Sequence, residues 1–199
     1  MKNKKIPVSY YKNLDTLELA KDILGKKLVT KVDNQTTSGI IVESEAYLGV
    51  SDRASHAFDN KLTSRTSTMY EEGGISYIYL CYGMHSLFNI VTNNKGIPEA
   101  ILIRAIKPID GISMMCKRRN MKEKSYNLTN GPGKLSQALG ITKKLNRQSL
   151  HGDDIWLEDI KISFKNNNIL SSPRIGVDYA GTDAKLPYRF YIKNNKWVS

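Results

Sequence analysis

ISYIYLCYGMHSLFNI, Ile75–Ile90, holds two short runs of β-branched and aromatic residues that meet at Gly83. Alternation sets Tyr77 and Tyr79 on one face of an extended strand and Tyr82 on the other. Gly83 supplies the backbone freedom to reverse into LFNIVT (87–92), so the two runs read as a β-hairpin with Tyr82 projecting from its tip. Similar runs, bounded by Gly, Asn or Pro, occur at 27–32 (KLVTKV), 39–47 (GIIVESEAY) and 100–106 (AILIRAI), with further strands near 155–164 and 188–193. Helical patterning is confined to three places. Asp15 caps TLELAKDIL, with Glu18 at the capping-box position and Gly25 as the stop. A second helix runs through GISMMCKRR after Pro108, and a third opens with Gly and Pro in GPGKLSQALG. Strands come in runs and helices cluster elsewhere, which predicts an α+β fold.

The chain has 199 residues, 40% of them hydrophobic, enough for one sizeable core and a single domain over 1–199. Lys and Arg total 30 against 19 acids, a formal charge of +11 that attracts polyanions, nucleic acid ahead of an anionic membrane surface. No stretch approaches the roughly 20 apolar residues of a spanning helix, and the basic start lacks an apolar run of signal length. A soluble, cytoplasmic protein with no membrane partner is expected. Cys81 and Cys116 read as small hydrophobes, and His56, His85 and His151 are scattered, so neither a metal site nor another cofactor is expected.

Within GIIVESEAYLG, a period of two places Ile41, Glu43, Glu45 and Tyr47 on one face. A solvent-facing strand surface accounts for that pattern. The apolar remainder of the strand, the Gly49 that follows and the nearby His56 point instead to carboxylates in partly apolar surroundings, suited to general-base work. Periodicity treats Glu43 and Glu45 alike. Tyr77 and Tyr79 are compatible with core packing, whereas an exposed Tyr82 beside basic residues can stack on bases. Lys61, Arg65, Lys134, Lys143, Lys144 and Arg147 are candidate phosphate contacts.

VESEAYLG, SHAF, YIYLCYGM, FNIV, AILIRA, GPGKLSQALG, RIGVDYAG and YRFYI together resemble, in order and spacing, the alkyladenine (3-methyladenine, methylpurine) DNA glycosylase family, from about Leu17 onward. The resemblance implies a monomeric, metal-free, mixed domain with a curved, mainly antiparallel sheet, flanking helices and a protruding DNA-intercalating β-hairpin. It implies duplex DNA containing damaged purines as partner, a base rotated out of the stack, and hydrolysis of its glycosidic bond without strand cleavage. It assigns Tyr82 and Met84 to the intercalating tip, Tyr47 and Tyr79 to the walls around the extruded base and His56 to the same pocket. Asn89 obstructs the 2-amino group of guanine, while Thr63, Arg65, Lys134 and Lys143 belong to the DNA-binding surface. Glu45 is assigned as the general base, with Arg104 and the carbonyl of Ile175 holding the attacking water. The sequence departs from the vertebrate pattern at Ser67, where a second basic residue is expected, and in lacking a long basic tail after KWVS. Two rival classes remain open at this point: a two-carboxylate glycoside hydrolase using Glu43 and Glu45, and a non-catalytic nucleic-acid binding module.

Overall fold

The computed structural model describes residues 4–162, 164 and 166–199. Its elements, in chain order, are β1 (Lys4–Lys5), α1 (Thr16–Asp22), β2 (Lys27–Val32), β3 (Gln35–Tyr47), β4 (Ser76–Cys81), β5 (His85–Thr92), β6 (Glu99–Asp110), α2 (Ile112–Arg118), α3 (Pro132–Leu139), β7 (Ile155–Asp159), β8 (Ile169–Ser172) and β9 (Arg189–Ile192), with short 3-10 turns between. The strands form one antiparallel sheet in the order β1-β7-β2-β3-β6-β5-β4. Strand β3 is long enough to share one edge between two partners. Its first half pairs with β2, and Glu43–Glu45 pair with β9, which in turn pairs with β8.

Helices α1, α2 and α3 cover one face of the sheet. Leu19, Ile23, Met115, Leu135 and Leu139 meet Ile78, Phe88, Ile90, Ile101 and Ile103 there in the main core. The opposite face carries a smaller cluster of Ala57, Met69, Tyr77, Val91 and Ala100, and it is this face that opens into a cavity. The expected α+β domain is therefore present, with Asp15 capping α1 through a bond from the Glu18 N–H.

Three strand boundaries differ from the sequence reading by more than two residues. β3 begins at Gln35 because Asp33 and Asn34, with φ of 52° and 58°, form a two-residue turn that pairs Val32 with Gln35 and draws the polar QTTS segment into the sheet. β6 runs through Pro108 to Asp110, because β5 pairs only with Glu99–Leu102 and the proline's missing N–H falls beyond that shared length. The strand expected near 155–164 ends at Asp159, and residue 163 of that range lies outside the described residues. Among the described residues, no helix is long and apolar enough to cross a membrane.

Candidate active site

The hairpin tip is built as its sequence demands. Cys81–Met84 form a turn closed by the Met84 N–H to the Cys81 carbonyl at 3.1 Å, with positive φ at both Tyr82 (50°) and Gly83 (69°). Tyr82 is 89% exposed and Met84 74%, so two large apolar side chains stand in solvent side by side. Alternation along β4 directs Tyr77, Tyr79 and Cys81 to the sheet face opposite the helices, where they line a cavity of about 260 Å³. Its other walls include Tyr47 at the end of β3, Asn89 on β5, Leu102 and Arg104 on β6, His56, and Ile175–Val177.

Glu45 is 0% exposed and sits behind the cavity lining: the three residues that its carboxylate meets, Tyr47, Arg104 and Ile175, all line the cavity. Its Oε1 accepts from the Ile175 N–H at 2.9 Å and faces Arg104 Nη1 at 3.2 Å, while its Oε2 accepts from the Tyr47 hydroxyl at 2.9 Å. Burial, followed by the Glu45 charge, raises the Tyr47 phenol well above its ordinary range, so it remains a donor. Glu43 is equally buried but differently used. It accepts from Arg104 Nε at 2.9 Å, Arg189 Nε at 2.7 Å, the Ser199 hydroxyl at 2.8 Å and the Ser199 N–H at 2.6 Å. The solvent-facing reading of the two acids is thus excluded, and the structure separates residues that periodicity left equivalent. It also argues against the two-carboxylate alternative, since both acids are fully buried on the same guanidinium of Arg104 and do not flank an open space from opposite sides.

Arg65 Nη2 lies 2.6 Å from His56 Nε2 and 3.2 Å from Nδ1, and Nδ1 lies 2.9 Å from the Tyr77 hydroxyl; the shorter arginine contact makes Nε2 the acceptor. Burial, then the charges of Arg65 and Lys61, lower its pKa to about 4, so the ring is neutral at physiological pH. His56 meets Tyr79 edge-on with centroids 4.6 Å apart, and the Arg65 guanidinium lies 4.7 Å from the Tyr79 ring centre. Arg65 is therefore turned toward the cavity wall, while Thr63 bonds Thr66 and lines an adjoining trough with Lys61 and Arg65. The Asn89 amide donates to the Tyr77 carbonyl at 3.1 Å, which fixes its side chain at the cavity edge. Lys134, in the first turn of α3, bonds Asn127 and Asn130. Gly133 beside it packs against His85, bringing that helix start next to the hairpin, and Lys143 is exposed just beyond α3.

Sequence reading missed the residues that brace these walls. Arg174, 5% exposed, makes a two-pronged contact with Asp52 at 2.5 and 2.8 Å and lies 4.8 Å from the Tyr47 ring centre. Arg174 opens the quoted RIGVDYAG and Asp52 lies just ahead of SHAF, but nothing in a linear pattern pairs positions 122 residues apart. Tyr179, 69% exposed, also lines the cavity and donates to the Ala54 carbonyl at 3.0 Å. Among the described residues, no group of three or more His, Cys, Asp or Glu is placed to hold a metal ion.

An aromatic cavity beside a buried carboxylate, with an exposed tyrosine on the adjoining hairpin and a net charge of +11, is what the resemblance to DNA glycosylases leads one to expect. The family model described as methylpurine-DNA glycosylase matches residues 9–196. A Chlamydia felis protein named "Putative 3-methyladenine DNA glycosylase" is 48% identical over 192 residues, spanning 96% of this chain and 97% of its own. Proteins of the same name from Chlamydia abortus (49%, 95% and 100% covered) and Clostridium novyi (48%, 93% and 94%) are similar over comparable lengths. The chain belongs to the methylpurine-DNA glycosylase family. It is accordingly a DNA repair hydrolase of N-glycosyl bonds, and the reading as a non-catalytic binding module falls away.

Proposed function

We propose that the protein acts as a monomer on duplex DNA and removes alkylated or deaminated purines, among them 3-methyladenine, 7-methylguanine, hypoxanthine and ethenoadenine, leaving an abasic site. The observation that carries this reading is Glu45, fully buried and held on both oxygens by residues that line the aromatic cavity. In the proposed sequence, Tyr82 enters the stack with Met84 beside it and fills the hole left by the extruded nucleotide. Thr63, Arg65, Lys134 and Lys143 contribute to the cationic surface that meets the phosphates. The base enters between Tyr47 and Tyr79 beside neutral His56, where a cationic methylpurine gains attraction to the ring faces that a normal purine lacks. Asn89, fixed by the Tyr77 carbonyl, obstructs the 2-amino group of guanine.

For cleavage, a water held by Glu45, Arg104 and the Ile175 carbonyl attacks C1′ from the side opposite the purine. The new C1′–O bond forms as the glycosidic bond breaks. Its electron pair passes to the purine, neutralising a ring that was cationic, and the water's proton passes to Glu45. A positioned base of this kind contributes about 10²- to 10⁴-fold. A neutral purine such as hypoxanthine must also acquire a proton as it leaves. No lysine is assigned a nucleophilic role, so no Schiff base and no strand cleavage follow.

The test is Glu45→Gln on duplex DNA methylated with dimethyl sulfate, following released bases by chromatography and binding by gel shift. Cleavage falls by at least about 10²-fold while affinity for the methylated duplex stays within about threefold. Retention of more than a tenth of the starting rate refutes Glu45 as the base.

A further inference from the structure

We infer that Glu43 and Arg189 are a positioning pair for the reaction: they hold the Arg104 guanidinium against Glu45 and balance the charge that Glu45 experiences. The inference rests on the proposed role of Glu45. Four ionisable side chains are packed together, Glu43 and Glu45 with side chains 0% exposed, Arg104 at 7% and Arg189 at 12%. Glu43 Oε1 takes the Nε hydrogens of both arginines. That bond anchors Arg104 by its Nε and leaves Nη1 directed at Glu45, 3.2 Å away, while Nη2 donates to the Ser199 hydroxyl at 3.2 Å. Arg189 is itself held from three sides, by the Ser172 hydroxyl at 3.2 Å, the Ser199 main-chain oxygen at 3.0 Å and the Tyr191 ring at 4.7 Å. The fork in the sheet makes this arrangement possible, because Arg189 on β9 stands in register with Glu45 while β6 supplies Arg104 from the other edge.

The remaining groups facing Glu45 are accounted for. Tyr47 on β3 is kept neutral and donates to it, and Tyr179 beyond the loop is an ordinary neutral phenol that donates to the Ala54 carbonyl. Arg174, from the loop that also supplies the Ile175 N–H, is paired two-pronged with Asp52, so its charge is largely spent. The charged side chains at Glu45 are then two carboxylates and two guanidiniums, with the Ser199 main-chain oxygen against Arg189. Removing Glu43 makes the surroundings of Glu45 more positive, and removing Arg189 makes them more negative. These changes act on Glu45 in opposite directions. A merely structural pair would lower activity in both cases without that opposition.

The experiment measures single-turnover excision against pH on dimethyl sulfate-treated duplex DNA, whose cationic purines leave without protonation, so the acid limb reports the base alone. In Glu43→Gln the acid limb moves to lower pH by about half to one unit, and the plateau falls by about tenfold as Arg104 loses its clamp. In Arg189→Gln the limb moves to higher pH by a similar amount. The double variant restores the balance and returns the limb to within about 0.3 unit of the starting protein. Duplex affinity stays within about threefold throughout. Limbs that move together, or plateaus that fall with limbs unmoved, overturn the inference. Where the Gln variants fail to give the native circular dichroism spectrum, Glu43→Asp and Arg189→Lys keep each charge and shorten its reach; plateau loss with an unmoved limb is expected, and an unchanged plateau overturns it. Failure of the base reading appears separately, as an active Glu45→Gln.

Discussion

Replacing Tyr82 with Gly separates what the ring does for DNA from what it does for the fold. The side chain is 89% exposed, and its backbone holds φ at 50°, a left-handed conformation that costs an L-residue roughly 1–2 kcal/mol. Glycine removes that strain but adds conformational freedom to the unfolded chain, a loss of about 0.5–1 kcal/mol. The two nearly cancel, so the melting temperature is expected to stay level or rise by a few degrees. Excision behaves differently. A ring stacked in the vacated position contributes on the order of 1–3 kcal/mol, which lowers the duplex rate by about 5- to 150-fold when it is lost. A single strand has no vacancy to fill, and release of methylated bases from it should change by less than about twofold. Paired assays on duplex and heat-denatured methylated DNA, with calorimetry on the same samples, give all three quantities. Equal losses on both substrates, or a duplex loss below about threefold, refute the intercalation argument.

Asp52→Ala strands the buried Arg174 behind Tyr47; breaking a buried pair of this kind costs about 3–5 kcal/mol, to be read from urea unfolding, and a loss under about 1 kcal/mol contradicts the bracing role. For His56 the folded pKa of about 4 lies below the 6.5 of the free side chain, so the unfolded chain takes up a proton that the folded chain refuses. Its contribution is therefore complete above pH 6.5 and is lost as pH falls toward 4; His56→Asn should flatten the melting temperature across that window, and an unchanged slope argues against a neutral, buried ring.

Most of the sheet was legible because its strands carry β-branched and aromatic residues in runs that Gly, Asn and Pro interrupt, as in KLVTKV and ISYIYLCY. What was hidden depends on partners. The threonines of β3 are strand residues because the Asp33–Asn34 turn lays them against β2, and Pro108 is tolerated only because β5 has already ended. β8 is four residues long, ILSS, and forms against β9 with Leu170 37% exposed, leaving no period to detect. In the site, Tyr82 announced itself through the glycine that follows it. Choosing Glu45 over Glu43 required family resemblance, since the property that separates them is which donors arrive from Tyr47, Ile175, Arg189 and Ser199. Arg174 and Asp52 escaped notice for the same reason: an ion pair across 122 positions has no local signature.

The fork at β3 also bears on when the molecule becomes active during its synthesis. Glu43 pairs with Arg189, 146 positions later, and with Ser199, 156 positions later, so its carboxylate has no complete set of partners until Ser199 has been translated. At roughly 5–20 residues per second the interval is about 7–30 s. Throughout it, a nascent chain already carrying Glu45, Tyr47 and the hairpin still lacks β9 and the segment that seats Arg104. The proposed centre is therefore organised only by contacts that span about 150 positions, and a nascent chain that stops short of β9 carries Glu45 and the hairpin without them.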